Sequence, residues 1–325
     1  MALEITVCNF CGSPEHKTIY ILPDLLLDRP ESNSQLVRCS RCGLVYQNPR
    51  PRLEEMGAHY PSEYDSYDAD PAAANASRVM RKFIRFGSYK RVRTVTRYKR
   101  MGRLLDIGCS TGSFLLEMRN LPGWDLTGVE INSSAAEIAM EQGLNVKIGT
   151  LEEAKFPDSA FDVVTLWDVL EHLHDPTATL EEISRILNPD GIVVLRVPNL
   201  DSWDARFFGR CWNGLDPPRH LFVFRPQILK ELLKRAGFNK IFLTSGFGGY
   251  PAIVLSIRFW MTARGVRPDL RSRIERWLLH PAVRLLFSPF LSLTAPGLHG
   301  PHVTAIGRKH RPSASIHRSD EIKSE

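Results

Sequence analysis

Residues 104–115, Leu-Leu-Asp-Ile-Gly-Cys-Ser-Thr-Gly-Ser-Phe-Leu, constrain the fold more than any other stretch of the chain. An apolar run stops at Gly108, and a second apolar run resumes after Gly112. That pattern reads as strand, tight turn and helix. Such a turn is expected to leave backbone N–H groups unpaired and pointing outward. Gly108 and Gly112, having no Cβ, would let a ligand approach that backbone closely. Asp106, at the end of the strand, can accept a hydrogen bond or face a cation. The glycine spacing is not the G-x-G-x-x-G of a dinucleotide-binding turn.

Strand and helix alternate from there on. Apolar strands are predicted at 126–131, 146–149, 161–167, 192–197, 241–244 and 303–307. Helices are predicted at 133–142, capped by a serine and stopped by Gly143, at 177–187, and at 227–236 before Gly237. Strands separated by helices imply a mostly parallel, doubly wound α/β sheet with ligands at its carboxyl ends. A length of 325 residues with 43% hydrophobic and 24% charged residues suits one large globular domain with an appendage. No apolar run reaches the roughly 18 residues of a spanning helix. Residues 1–10 have neither a basic leader nor a long apolar core, so a cytoplasmic chain is expected. The net charge of +6 weakly favours acidic ligands or surfaces.

The appendage lies at the N-terminus, over residues 1–50. Cys8-Asn9-Phe10-Cys11-Gly12 and Cys39-Ser40-Arg41-Cys42-Gly43 are two C-x-x-C knuckles, each followed by glycine. The two-residue gap lets both sulfurs reach one ion, and the glycine relieves the turn. Cys8, Cys11, Cys39 and Cys42 therefore read as ligands of a structural Zn2+ in a reducing compartment. The long spacer between the knuckles is expected to hold a short hairpin or loop. Cys109 and Cys211 read as small packing residues.

Residues 51–102 form a linker and a basic amphipathic helix. The tyrosine-rich run 60–67 could line a substrate pocket or pack as a connector. Residues 77–103 carry Arg78, Arg81, Lys82, Arg85, Lys90, Arg91, Arg93, Arg97, Lys99, Arg100 and Arg103 with no acid between. Val79, Phe83, Phe86, Val92, Val95 and Tyr98 recur at helical spacing, with Gly87 as an expected interruption. The basic face could meet anionic lipid, a diphosphate-linked substrate or RNA. Residues 246–300 break the strand–helix rhythm with two apolar patches, 252–261 and 277–293, interspersed with arginines. The polar tail 310–325 is expected to be disordered.

Taken together, these stretches resemble the class I S-adenosylmethionine (SAM) methyltransferases. Residues 104–115 look like the first motif of that family. Leu126-Thr127-Gly128-Val129-Glu130-Ile131 looks like its second SAM element. Residues 156–164, 168–173 and 186–191 resemble its later elements, and the match covers about 103–244 plus 303–308. The resemblance implies a Rossmann-like seven-stranded sheet over 103–309, interrupted by the insertion 246–300. It implies that Gly108 and Gly112 border the methionine part of SAM, Glu130 the ribose and Ile131 the adenine. Asp106, Cys109, Thr150, Leu151 and Trp167 complete the candidate cofactor set. Thr150 departs from the pattern, because many relatives carry an Asp there, facing the adenine amine.

The cysteine module ahead of a SAM domain is similar to a methyltransferase subgroup that includes sugar C-methyltransferases and proteins of polysaccharide pathways. His220, in Pro217-Pro218-Arg219-His220-Leu221, matches a histidine that ubiquinone-type O-methyltransferases carry in an acceptor-side loop. It is the candidate proton acceptor, or else a structural histidine bonded to a carbonyl. His172 is carried beside it as a catalytic candidate, and His172 and His174 are also candidates for shaping the cofactor pocket or capping a helix. The expected reaction is in-line transfer of the SAM methyl to a small-molecule acceptor, foremost a sugar or glycan precursor, with a quinone-type O-acceptor as an alternative. A nucleic-acid-binding or RNA-modifying protein is the remaining alternative, and it is disfavoured because no known RNA motif accompanies the basic stretch. Oligomeric state is not legible. The arginine-laced insertion is expected to make either a peripheral membrane contact or a helical lid or dimer surface.

Overall fold

The structure is a computed structural model and describes residues 2–60, 78–245, 249–294 and 296–309, with side chains left out of account at 78–86, 288–294 and 296. The rest of the tyrosine run beyond Tyr60 and the expected tail 310–325 lie outside the described residues, as do the side chains of Val79, Phe83 and Phe86.

The N-terminal module starts with β1 (Leu3–Glu4) and a long hairpin, β2 (His16–Asp24) and β3 (Arg29–Cys39). This hairpin fills the spacer between the two knuckles. The chain continues through β4 (Val45–Gln47) and β5 (Arg50–Pro51), and β5 pairs back on β1. After a 3-10 helix at Leu53–His59, helix α1 (Arg78–Thr96) leads into the large sheet. It runs through Gly87 without a break, contrary to the expected interruption. Val92 and Val95 are buried, so its apolar face packs as expected. Its basic face is not wholly solvated. The Arg91 guanidinium lies 5.7 Å from the centre of the Trp167 ring.

The large sheet is built from β6 (Gly102–Ile107), α2 (Ser113–Arg119), β7 (Trp124–Glu130), α3 (Ser133–Glu141), β8 (Asn145–Ile148), β9 (Phe161–Trp167), α4 (Pro176–Ile186) and β10 (Leu187–Pro198). It continues through α5 (Trp203–Phe208), β11 (Phe222–Val223), α6 (Pro226–Arg235), β12 (Phe238–Thr244) and, after an insertion, β13 (His302–Lys309). Seven strands stand in the order β12-β13-β10-β9-β6-β7-β8. All neighbours are parallel except at β13, which runs antiparallel to β10 and β12. This is the Rossmann-like class I arrangement expected from the sequence. Its central strands β6, β9 and β10 are buried on both faces, which is why Leu104, Leu105, Val163, Val164, Val193 and Val194 read as continuous apolar runs. The N-cap of α3 is Asn132, whose side chain accepts from the Ala135 amide at 3.0 Å, and not the serine expected there.

β11 does not join this sheet. It completes the N-terminal one, giving the order β11-β4-β3-β2. The expected boundary near residue 50 is therefore crossed by strand pairing, and Tyr46 and Phe222 share one core with Leu195 and Val197.

The insertion between β12 and β13 consists of α7 (Tyr250–Thr262), α8 (Pro268–Leu278) and α9 (Pro281–Thr294). α7 buries Val254, Leu255 and Phe259. The Ser256 hydroxyl accepts from the Asn213 amide at 3.0 Å, docking α7 on the loop that leads to His220. Asn199, fully buried, donates to the carbonyls of Leu298 and Gly300 at 2.7 and 3.0 Å and so ties the end of the insertion to β10. Among the described residues no helix is long and apolar enough to cross a membrane.

Candidate functional site

The sheet order reverses between β6 and β9, and the crevice outside their carboxyl ends is where a doubly wound fold binds ligands. The first turn stands there. Its amides are not unpaired, contrary to the expectation. Those of Gly108 and Cys109 donate to the Val129 carbonyl at 2.8 and 3.1 Å, and that of Gly112 to Cys109 at 2.9 Å. The space beside the glycines is also filled from within the protein. A Cβ on Gly108 would fall 2.6 Å from Val169 Cγ2, and one on Gly112 would fall 2.2 Å from Leu144 Cδ1. Both glycines have positive φ, +67° and +83°, so the turn needs glycine for its own backbone and packing.

Glu130 closes the same crevice from β7. One carboxylate oxygen accepts from the Ser110 amide and the other from the Asn132 amide, each at 2.8 Å. A carboxylate has about four lone-pair sites, so room remains for two further donors such as a vicinal diol. Ile131, the next residue, is 66% exposed. Asp106 is buried, and its Oδ1 accepts from the Thr165 hydroxyl at 2.6 Å. Cys109 is buried, and burial pushes its thiol well up, followed by the nearby charges of Asp106 and Glu130. Thr150 is taken up locally: its hydroxyl accepts from the Glu153 amide at 3.2 Å while its own amide donates to the Glu153 carboxylate at 2.8 Å. This reciprocal cap occupies the side chain standing where relatives carry an Asp. Leu151 is buried, and Trp167 packs edge-on to Phe114, with ring centres 5.5 Å apart.

Across the crevice the structure brings His172 and His220 together, with ring centres 4.6 Å apart at an angle of 76°. His172 comes from the short helix Leu170–His172 after β9, and His220 from the loop before β11. His220 Nδ1 lies 3.0 Å from the Gly214 carbonyl. His172 Nδ1 lies 3.1 Å from the Arg219 carbonyl and 2.9 Å from the Tyr60 hydroxyl. A carbonyl only accepts, so both rings carry their proton on Nδ1 and present a lone pair at Nε2. His220 is thus a carbonyl-bonded ring, with Nε2 left outside that bond. Burial, followed by the nearby His220, lowers His172 to about 3, so it is neutral at physiological pH. His174 stands apart: it bonds the Pro51 carbonyl at 3.0 Å, at the seam with the N-terminal module. Neither His172 nor His174 caps α4; Asp175 does, accepting from the Ala178 amide.

Glu171 was not singled out in the sequence. Its side chain is 1% exposed, and neither carboxyl oxygen meets a donor of another residue. Burial raises its pKa well above the usual carboxylate range, and the charge of Asp168 adds to this. Asp168 itself is held low by Arg196, although burial opposes it; Arg196 Nε stands 2.9 and 3.0 Å from its two oxygens. One ligand atom from each of Glu171, His172 and His220 lies within 4.8 Å of the others. Two imidazoles fixed through Nδ1 and one carboxylate could hold a divalent cation. The signal for Glu171 was its place between Asp168 and His172 in one strand-end segment. Tyr60, which opens the tyrosine run read as pocket lining or connector, reaches His172 across 112 residues.

The cysteines converge as expected. Cys8 and Cys42 sulfurs are 3.4 Å apart, those of Cys11 and Cys39 are 3.5 Å apart, and all four lie within 4.8 Å of one another. Gly12 and Gly43 follow the knuckles with φ of +71° and +80°. Burial works against a thiolate at Cys39, but the amides of Cys42 and Arg41 outweigh it and bring its pKa down to about 7. Amides aimed at sulfur and four converging thiols fit a tetrahedral ion with no open position.

A methyltransferase-domain family model matches residues 72–242. An uncharacterized methyltransferase of Schizosaccharomyces pombe is 27% identical over 160 residues, 44% of this chain and 52% of that one. A ubiquinone biosynthesis O-methyltransferase of Haemophilus ducreyi is 32% identical over 108 residues, 30% of this chain and 45% of that one. The chain thus spans about half the length of these two relatives. A demethylmenaquinone methyltransferase of Staphylococcus aureus is 30% identical over 183 residues, 48% of this chain and 76% of that one. Among solved structures, a SAM-dependent methyltransferase from Archaeoglobus fulgidus is 20% identical with a TM-score of 0.48, covering 75% of this chain and 100% of that one. With the family model matched over more than half of this chain, the chain belongs to the methyltransferase-domain family.

Proposed function

We propose that the enzyme transfers the SAM methyl to a small-molecule acceptor whose reacting oxygen or carbon must lose a proton, foremost a sugar or glycan precursor. The observation that carries this reading is the His172–His220 pair, with ring centres 4.6 Å apart, each Nδ1 held by a backbone carbonyl, beside the buried Glu171 carboxyl. The sulfonium of SAM is already a good leaving group, so the protein contributes alignment, exclusion of water and a proton acceptor. His220 is that acceptor, its Nδ1–H held by Gly214 while Nε2 receives the proton. A quinone-type phenol has the same need. The ubiquinone and menaquinone methyltransferases among the relatives support it equally, and a screen of both acceptor classes separates the two.

On the donor side, Glu130 accepts both ribose hydroxyls. Each hydrogen bond to a charged group is worth roughly 1.5–3 kcal/mol, so Glu130→Ala is expected to weaken SAM by at least about tenfold. Titration calorimetry on a variant shown by circular dichroism to be folded checks this; unchanged affinity removes the assignment.

The cysteine cluster holds one structural zinc ion. Elemental analysis is expected to find about one zinc per chain, and Cys39→Ser to lose it. Full occupancy in that variant would count against the site.

Glu171 is protonated in the folded protein. Between the ordinary carboxyl pKa and its raised folded value, the unfolded chain releases a proton that the folded chain keeps, so stability falls as pH rises through that window. Glu171→Gln removes this loss. Its melting temperature is expected to exceed that of the unmodified protein at about pH 8, with the gap closing near about pH 4. A variant less stable than the parent at the higher pH, accompanied by loss of a second bound metal, would instead identify Glu171 as an ionised ligand.

The insertion meets a membrane surface peripherally. Trp260, Trp277, Leu285, Leu286 and Phe287 are exposed on its helices, and arginines such as Arg264 and Arg273 lie among them. α7 at the same time lids the loop before His220. Phe290, expected at the same interface, has a side chain outside the described residues. Flotation with anionic liposomes at low salt is expected to carry the full-length protein upward. Protein left in the soluble fraction with both anionic and neutral vesicles leaves the lid or dimer reading.

A further inference from the structure

The loop that carries His220 is fastened to the N-terminal module. Immediately after it, β11 adds to the module's sheet, with Phe222 opposite Tyr46 and Val223 opposite Val45. The Gln47 amide donates to the Leu221 carbonyl at 2.9 Å. Arg219, next to His220, is fully buried. Its guanidinium donates to Asp24 Oδ2 and Oδ1 at 2.9 and 2.7 Å, and to Asp216 Oδ2 and Oδ1 at 2.9 and 2.8 Å. Asp24 ends β2, the arm of the hairpin whose other strand, β3, runs straight into Cys39. The Cys39–Cys42 knuckle then turns the chain into β4.

One guanidinium between two buried carboxylates is a poor way to gain stability, since desolvating three charges costs about as much as their attraction returns. It does fix geometry, because a planar donor fork gripped on two sides cannot rotate. Here the fixed object is the imidazole pair. The Arg219 carbonyl receives the His172 Nδ1–H, and the His220 ring follows one residue later.

We propose that Arg219 is a positioning residue that couples the cysteine module to the imidazole pair. Asp24 and β4 set the loop, the loop sets His172 and His220, and loss of the knuckle metal therefore disorients both rings while leaving the SAM crevice in place. Its bearing on catalysis rests on His220 being the proton acceptor; the coupling itself does not.

The test uses full-length, metal-loaded protein. Asp24→Ala cuts the link yet leaves Arg219 paired with Asp216, so no buried cation is stranded. Long-range nitrogen–proton spectra of the imidazoles read the tautomers. In the variant, His172 and His220 are expected to lose the Nδ1–H signature. The amides of 212–223 should exchange at least about tenfold faster, with SAM affinity held within about twofold. Chelation of the metal from the unmodified protein is expected to give the same signature, which keeps the idea testable if the variant does not fold. Unchanged imidazole spectra after chelation, or SAM binding lost in step with the imidazole change, overturns the coupling. No readout requires an acceptor, so the coupling and the methyl-transfer reading can fail separately.

Discussion

Parallel pairing of β6 with both β7 and β9 is the constraint from which the site follows. Parallel neighbours cannot be joined by a hairpin, so each connection must cross over, here through α2, α3 and α4 and, between β8 and β9, through a loop. Those crossovers place Gly108, Glu130 and Asp168 at one end of the sheet, because each ends or follows a strand running the same way. The opposite turns of the chain on the two sides of β6 then open the crevice between them. No residue of the site needs to know about another in the sequence. The strand direction gathers them.

This accounts for what was legible. Seven strands and their helices could be read because buried parallel strands are apolar on both faces and their helices are amphipathic. The cysteine ligands could be read because the chemistry demands two sulfurs at a fixed short spacing. The turn at 108–112 was misread in its detail. Its glycines answer to positive φ and to Val169 and Leu144, and its amides are consumed by Val129 and Cys109. Asn132 took the capping place assigned to its neighbour because an Asn and a Ser side by side offer the same oxygen chemistry. Tyr60 and Arg219 could not be matched with His172 and Asp24 from the sequence, since those partners lie 112 and 195 residues away.

The burial of the imidazole pair and the burial of the ion pairs are one electrostatic arrangement. Asp168 keeps its charge because Arg196 faces it, and Asp216 keeps its charge because Arg219 does, although burial opposes both. Glu171 and His172 have no such counter-ion and are driven to their neutral forms, as is His302, lowered to about 4 by burial. Charged and neutral groups thus stand side by side where the segment after β9 meets β10, β13 and the loop before β11.

The fourth strand of the N-terminal sheet bears on how the molecule is assembled. Asp24 and Arg219 are 195 residues apart in sequence, so the hairpin leaves the ribosome long before the strand that completes its sheet. Until then the β4 edge is open, and an open edge is a template for pairing with another chain. Contacts of such long range are also slow to form. The cysteine knuckles lie on the early side of that interval, and an ion bound there would hold the hairpin closed on itself while its partner is still being made.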